Sequence, residues 1–244
     1  MRPVTRESIT PRDRNIDSII FDLDGTLVDS QPAALAATIE ALSRFEVHAT
    51  AAEVREQFGG GSRKLVGYFL ERALSLDEAE RAIDEATQLK INLQVSFTDR
   101  VVLLPQARQL LVLLKDSGYR LALATMSART VVDKISSYHG IEEYFDQVMT
   151  ADDVIHGKPD PEILTKTIEL LGGQVDRALY VGDSYHDLEA AVRVEMPFLL
   201  VDSGIYVRGE TRKKLRVSAK ENGYPIVGLE GLLDIDEILR THAF

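Results

Sequence analysis

The chain has 244 residues and no cysteine. That excludes disulfides and thiolate-held metals, so a metal here would rest on other ligands. Long hydrophobic runs are also missing: no apolar stretch approaches the roughly 20 residues that cross a bilayer, so no membrane partner is expected. Residues 1–15 contain no apolar segment of the secretory kind. Their Arg2, Arg6, Arg12 and Arg14, broken by Pro3, Glu7, Pro11 and Asp13, read as a flexible arm, and the cytoplasm is the expected location. Positive charge is the third shortage, with 28 Lys and Arg against 39 Asp and Glu and a net charge of -11. Such a surface lacks the basic field that nucleic acid needs. It also repels small anions, so any site for one must carry its own local positive charge, which a metal ion would supply. The five histidines are scattered without metal-binding spacing, and His156, beside Lys158, is the one expected near a site.

What is present is ordinary for a globular protein, with 45% hydrophobic and 27% charged residues. Ile19-Ile20-Phe21 reads as a buried strand ending in the tight turn Asp22-Leu23-Asp24-Gly25-Thr26. From residue 31 to 97 the pattern is helical without a strand signal. Leu35, Ile39 and Leu42 repeat at helix spacing, and Thr50/Glu53 and Ser75/Glu78 form capping boxes around the break at Gly59-Gly60-Gly61. Beyond Leu104, helices and strands alternate. Pro105 opens a helix, Leu121–Ala124 is a strand, and so is Phe145–Thr150. Asp160-Pro161 starts a helix, Leu179–Val181 is a strand, Ser184–Val194 a helix and Phe198–Val201 a strand. Alternation of this kind predicts an α/β fold with a doubly wound, mainly parallel, Rossmann-like sheet. The expected division is a core of residues 1–30 and 98–244, with an all-helical cap at 31–97.

Ligands in such a sheet bind beyond the carboxyl ends of the strands. Asp22 and Asp24 follow the first strand, Thr125 the second, Lys158 lies after the third, and Asp183 and Asp187 follow the fourth. Distant segments are thereby predicted to converge on one sheet edge. A carboxylate can act as nucleophile and a second one as general acid and base. Magnesium favours hard oxygen ligands, and Thr and Lys can neutralise phosphoryl oxygens.

Asp22-Leu23-Asp24-Gly25-Thr26, Thr125, Gly157-Lys158-Pro159-Asp160-Pro161 and Gly182-Asp183-Ser184-Tyr185-His186-Asp187 resemble, in order, the four motifs of the haloacid dehalogenase superfamily. The resemblance implies Asp22 as nucleophile and Asp24 as general acid and base. It implies Asp22, Asp24 (through its backbone carbonyl) and Asp183 as Mg2+ ligands, Thr125 and Lys158 as holders of the phosphoryl group, and Asp187 as support for Asp183 or Lys158. The acid at Asp24 argues for P–O rather than carbon–halogen or phosphonate cleavage. Asp24 to Pro32 and Val54 to Gly61 are similar to the phosphoglycolate phosphatase group, although Met126-Ser127 stands where that group often has Asn-Lys.

The implied function is an Mg2+-dependent hydrolase of small phosphate monoesters, with phosphoglycolate as one candidate. The small phosphorylated metabolite would be its partner, and the chain would be a monomer or homodimer. Pyrophosphatase, nucleotidase and sugar phosphomutase share the chemistry, and a non-catalytic binding protein is the remaining alternative. For the substrate itself, the expected contacts are Gly60, Gly61, Arg63 and Lys64 of the cap loop, the last two meeting a second anionic group, together with Met126 and Arg129, the latter replacing the missing lysine. Blander readings exist. Ser184-x-x-Asp187 is also a capping box, and Arg208, Arg212, Lys213, Lys214, Arg216 and Lys220 read as a solvated helix face.

Overall fold

The computed structural model describes residues 16–241; the expected flexible arm at 1–15 lies outside the described residues. Strand β1 (Ser18–Phe21) leads through β2 (Val28–Asp29) into four helices: α1 (Gln31–Ser43), α2 (Ala51–Glu56), α3 (Ser62–Ala73) and α4 (Leu76–Ser96). The chain returns through β3 (Val102–Leu103) and then alternates. In order come α5 (Ala107–Asp116), β4 (Arg120–Ala124), α6 (Arg129–His139), β5 (Gln147–Met149), α7 (Glu162–Leu170), β6 (Ala178–Gly182), α8 (Tyr185–Arg193), β7 (Phe198–Asp202), α9 (Gly209–Glu221), β8 (Ile226–Gly228) and α10 (Asp234–Thr241).

The six-stranded sheet has the order β5-β4-β1-β6-β7-β8, and every pairing in it is parallel. Alternate side chains of each strand enter opposite layers, as the two-residue period requires. Ile19, Phe21, Leu121, Leu123, Leu179 and Val181 pack on one face with Leu110, Leu111 and Leu114 of α5 and Val132 and Ile135 of α6. Ile20, Ala122, Ala124, Tyr180 and Phe198 pack on the other with Ile163, Leu164 and Ile168 of α7, Leu188 of α8 and Leu215 of α9. Both faces are covered, which is why the strands are almost wholly apolar. Connections from β1 lead to the β4 side and those from β6 to the β7 side, so the topological switch point falls between β1 and β6.

Helices α1–α4 enclose a core of their own, built on Leu35, Leu42, Val54, Leu65, Val66, Phe69 and Leu70. The expected capping boxes form at Thr50/Glu53 and Ser75/Glu78. Between this unit and the sheet lies an antiparallel ribbon of β2 and β3 that the sequence pattern did not reveal, because two-residue strands have no measurable period. Two helix starts also shift. Pro105 precedes Gln106, which caps α5 at φ 66, and α7 begins at Glu162. Asp160 Oδ1 still accepts from the Glu162 N–H at 2.9 Å, as a helix-start aspartate should.

At the amino ends of the central strands, Asp17 accepts from Arg120 at 2.7 Å and from Arg177 at 3.0 Å. Burial alone would raise the Asp17 pKa, but hydrogen bonds from Ser18, Arg120 and Arg177 outweigh it and hold the carboxyl below its usual range. A depressed folded-state pKa contributes stability above the unfolded value and loses it as pH falls through the folded one. Asp17→Ala should therefore cost about 1 kcal/mol at pH 7, once screening of these part-exposed groups is allowed for. Urea titrations of both proteins should show that gap closing as the pH falls below about 3.9.

Candidate active site

The backbone leaves β1 with the Asp22 N–H on the Val181 carbonyl at 2.8 Å, and Gly25 turns it at φ 84. A methyl group at Gly25 would collide with the Asp183 carboxylate and stand 3.0 Å from Tyr206, so only glycine lets the loops after β1 and β6 approach this closely. On the same edge, Lys158 lies buried with all three ammonium donors engaged: Asp22 Oδ1 at 2.7 Å, Asp187 Oδ1 at 2.8 Å and the Tyr180 hydroxyl at 2.5 Å. Asp187 also accepts from the Tyr180 hydroxyl at 2.5 Å, and from the Ser184 hydroxyl and N–H at 2.5 and 3.1 Å. The capping box of α8 and the lysine anchor are thus the same carboxylate.

Asp22, Asp183 and Asp187 offer oxygens that all lie within 4.8 Å of one another, all buried. Asp187 is saturated by its donors, whereas Asp183 Oδ2 is buried with no hydrogen-bond partner. Burial first, then repulsion from Asp187 and Asp24 against the attraction of Lys158, pushes the Asp22 carboxyl up to about 7. Burial and the charges of Asp187, Asp22 and Asp24 push Asp183 well above the carboxylate range. On Lys158, burial pulls the pKa down, but Asp187 and Asp22 prevail and keep it charged. A single ammonium does not neutralise this cluster. The unmet oxygen of Asp183 beside Asp22 is the donor set a hard divalent cation takes.

The Asp24 carboxylate faces elsewhere, into a ring of hydroxyls. Oδ1 accepts from Ser30, and Oδ2 from Ser127 at 2.6 Å and Thr125 at 3.4 Å. Ser30 in turn meets the Tyr206 hydroxyl at 2.8 Å, and Tyr206 packs edge-on against Phe58 of the helical unit with ring centres 5.2 Å apart. Sequence reasoning missed Ser30, Ser127 and Tyr206. The departure from Asn-Lys after Thr125 was a signal for Ser127; isolated hydroxyl residues otherwise give none.

A cavity of about 610 Å3 lies over this edge, lined by Asp22, Asp24, Thr125, Met126, Lys158 and Asp183, by Gly61, Ser62, Lys90 and Gln94 of the helical unit, and by others. Lys90 was also missed, since its place on α4 reads as an ordinary polar position. It is buried, donates to Ser62 Oγ at 2.9 Å and to Gln94 Oε1, and burial pushes its pKa down to about 8.

Several expected substrate contacts need correction. Arg63 pairs with Asp84 at the surface, and Lys64 folds its stem against Gly60, so none of Gly60, Arg63 and Lys64 lines the cavity. Arg129 is held by the Val148 carbonyl at 2.8 Å and Asp153 at 2.6 Å, so it does not replace the missing lysine. His186, not His156, borders the cavity, with Gly59 close enough that a methyl group there would lie 2.8 Å from its ring. The basic helix face is only partly solvated, because Arg212 and Arg216 both clamp Asp202 and Arg208 lines the cavity.

Residues 19–201 match the family model described as haloacid dehalogenase-like hydrolase. A phosphoglycolate phosphatase from Mesorhizobium japonicum is 31% identical over 191 residues, covering 76% of this chain and 82% of its own. Pyrophosphatase PpaX from Bacillus velezensis is 30% identical over 178 residues, covering 73% and 79%. The crystal structure of CbbY from Rhodobacter sphaeroides in complex with phosphate superposes with a TM-score of 0.74 at 25% identity, covering 89% of this chain and 99% of that one. The four motifs, the parallel sheet and these similarities agree, and the chain belongs to the haloacid dehalogenase-like hydrolase family.

Proposed function

We propose that the chain is a magnesium-dependent phosphatase that cleaves small phosphate monoesters through an aspartyl-phosphate on Asp22. One observation carries the reading: a buried lysine bonded to Asp22 and Asp187, beside an Asp183 oxygen that nothing in the described protein satisfies. The relatives named phosphatases support the reaction class, and the similarity to PpaX keeps pyrophosphate among the substrates to be tested.

Asp22 attacks phosphorus with the leaving oxygen opposite. Lys158 and Thr125 stabilise the charge that gathers on the phosphoryl oxygens. Asp24 protonates the departing alkoxide; its ring of hydroxyls from Ser30, Thr125 and Ser127 holds the carboxyl in one orientation. The same carboxylate then takes a proton from water, which attacks phosphorus, frees Asp22 and releases phosphate. Asp22 and Asp183 would hold a magnesium ion, which would supply the positive charge that a phosphate needs beside a cluster of carboxylates. The helices at 31–97 act as a cap that excludes water and contacts the rest of the substrate.

Phosphate release from a panel of phosphate esters and pyrophosphate should require Mg2+ and stop when the ion is chelated. Asp22→Asn should remove detectable release while circular dichroism stays native; near-normal turnover in that variant would refute the nucleophile. In Gly25→Ala, displacement of Asp183 should lower kcat/KM by about 100-fold, the scale of a misplacement near 1 Å. Removing the ammonium in Lys158→Ala strands buried carboxylates. Urea denaturation should register a loss of about 3 kcal/mol in metal-free protein.

A further inference from the structure

Two arginines on the cavity wall have no part in this reaction. Arg55 of α2 and Arg208, which precedes α9, both line the cavity. Arg55 donates through Nε to Gln31 Oε1 at 3.2 Å, and Arg208 donates through Nη2 to the same oxygen at 3.2 Å. Gln31 is buried, and its Nε2 donates to the Ile205 carbonyl at 3.0 Å, which fixes the amide with its oxygen toward both arginines. Arg208 is steadied further by its Nε, on the carbonyls of Gly204 and Ile205 at 3.2 and 2.9 Å.

Several other arginines in the protein meet a carboxylate. Arg120 and Arg177 converge on Asp17, Arg212 and Arg216 on Asp202, and Arg129 meets Asp153. Arg55 and Arg208 converge on a neutral oxygen, and among the described residues neither forms an ion pair. Glu56 borders the same cavity without pairing with either. Like charges held together repel unless an anion joins them. Both Nη groups of Arg55 and Nη1 of Arg208 are free among the described residues, and guanidinium donors suit planar or tetrahedral oxyanions.

We propose that Arg55 and Arg208 form a second anion site, so that the substrate is a phosphate ester bearing a further carboxylate or phosphate group. The inference rests on the reading of Asp22 as the centre that takes the first phosphoryl group. It moves the second-anion role from Arg63 and Lys64 to a pair with one member in the helical unit and one in the segment after β7. Binding the distal anion then also ties helical unit to core.

Two matched pairs of compounds test it: glycerol 3-phosphate against 3-phosphoglycerate, and fructose 6-phosphate against fructose 1,6-bisphosphate. The first pair adds a carboxylate and the second a phosphate. Wild-type kcat/KM should favour the more anionic member of at least one pair by about tenfold, and an Arg55→Gln/Arg208→Gln double variant should lose that preference. An Arg55→Lys/Arg208→Lys variant, which keeps the charge without the fork, should recover part of it. Titration calorimetry on Asp22→Asn protein with Mg2+ should give the same ordering of affinities without turnover. If calorimetry keeps the preference while no ester is hydrolysed, the phosphatase reading fails and the anion site stands. No preference in either pair overturns the proposal. Equal losses on both members in the glutamine variant overturn it too, because they mark the arginines as a latch between helical unit and core.

Discussion

Buried negative charge organises this protein. Asp22, Asp183 and Asp187 are gathered behind the carboxyl ends of β1 and β6, against one ammonium, with Asp24 close by. Carboxylates so close in a dry setting repel one another, and Lys158 offsets part of that repulsion through its bonds to Asp22 and Asp187. Tyr180 and Ser184 saturate Asp187, so that Asp187 can hold the lysine, and Gly25 keeps the turn clear of Asp183.

The sheet makes the cluster affordable. β1 is central, paired on both sides and covered on both faces, so Asp22 emerges from a strand held by neighbours in every direction. Two sides of the sheet contribute to one crevice because the connections diverge between β1 and β6. The helical unit contributes through different physics. Its core is its own, and it reaches the site through Gly61, Ser62 and Lys90, through the Phe58–Tyr206 contact and through Arg55. The cavity-lining side chains of helices α2 to α4 thus rest on a core separate from the two that flank the sheet.

Much of this was legible beforehand where a signal is local. Apolar runs of β-strand length marked β1, β4, β6 and β7, and Thr50/Glu53, Ser75/Glu78 and Ser184/Asp187 marked helix starts that all form. The ordered motifs named Asp22, Asp24, Thr125, Lys158, Asp183 and Asp187, and the structure gathers them on one edge. The misreadings concern long side chains. Arg63, Lys64 and Arg129 have the right charge near the right loops, but long side chains can turn elsewhere, here to Asp84, to Gly60 and to Asp153.

By itself the sequence determined the alternation of strands and helices, the interruption of that alternation at 31–97, and the order in which the reactive side chains occur, because periodicity and turn chemistry act between near neighbours. Only the tertiary structure decided which hydroxyls surround Asp24, which carboxylate holds Lys158, and that Arg55 and Arg208 meet on Gln31. Those contacts join residues far apart in the chain. Such pairs become neighbours only once both faces of the sheet and the helical core have been buried.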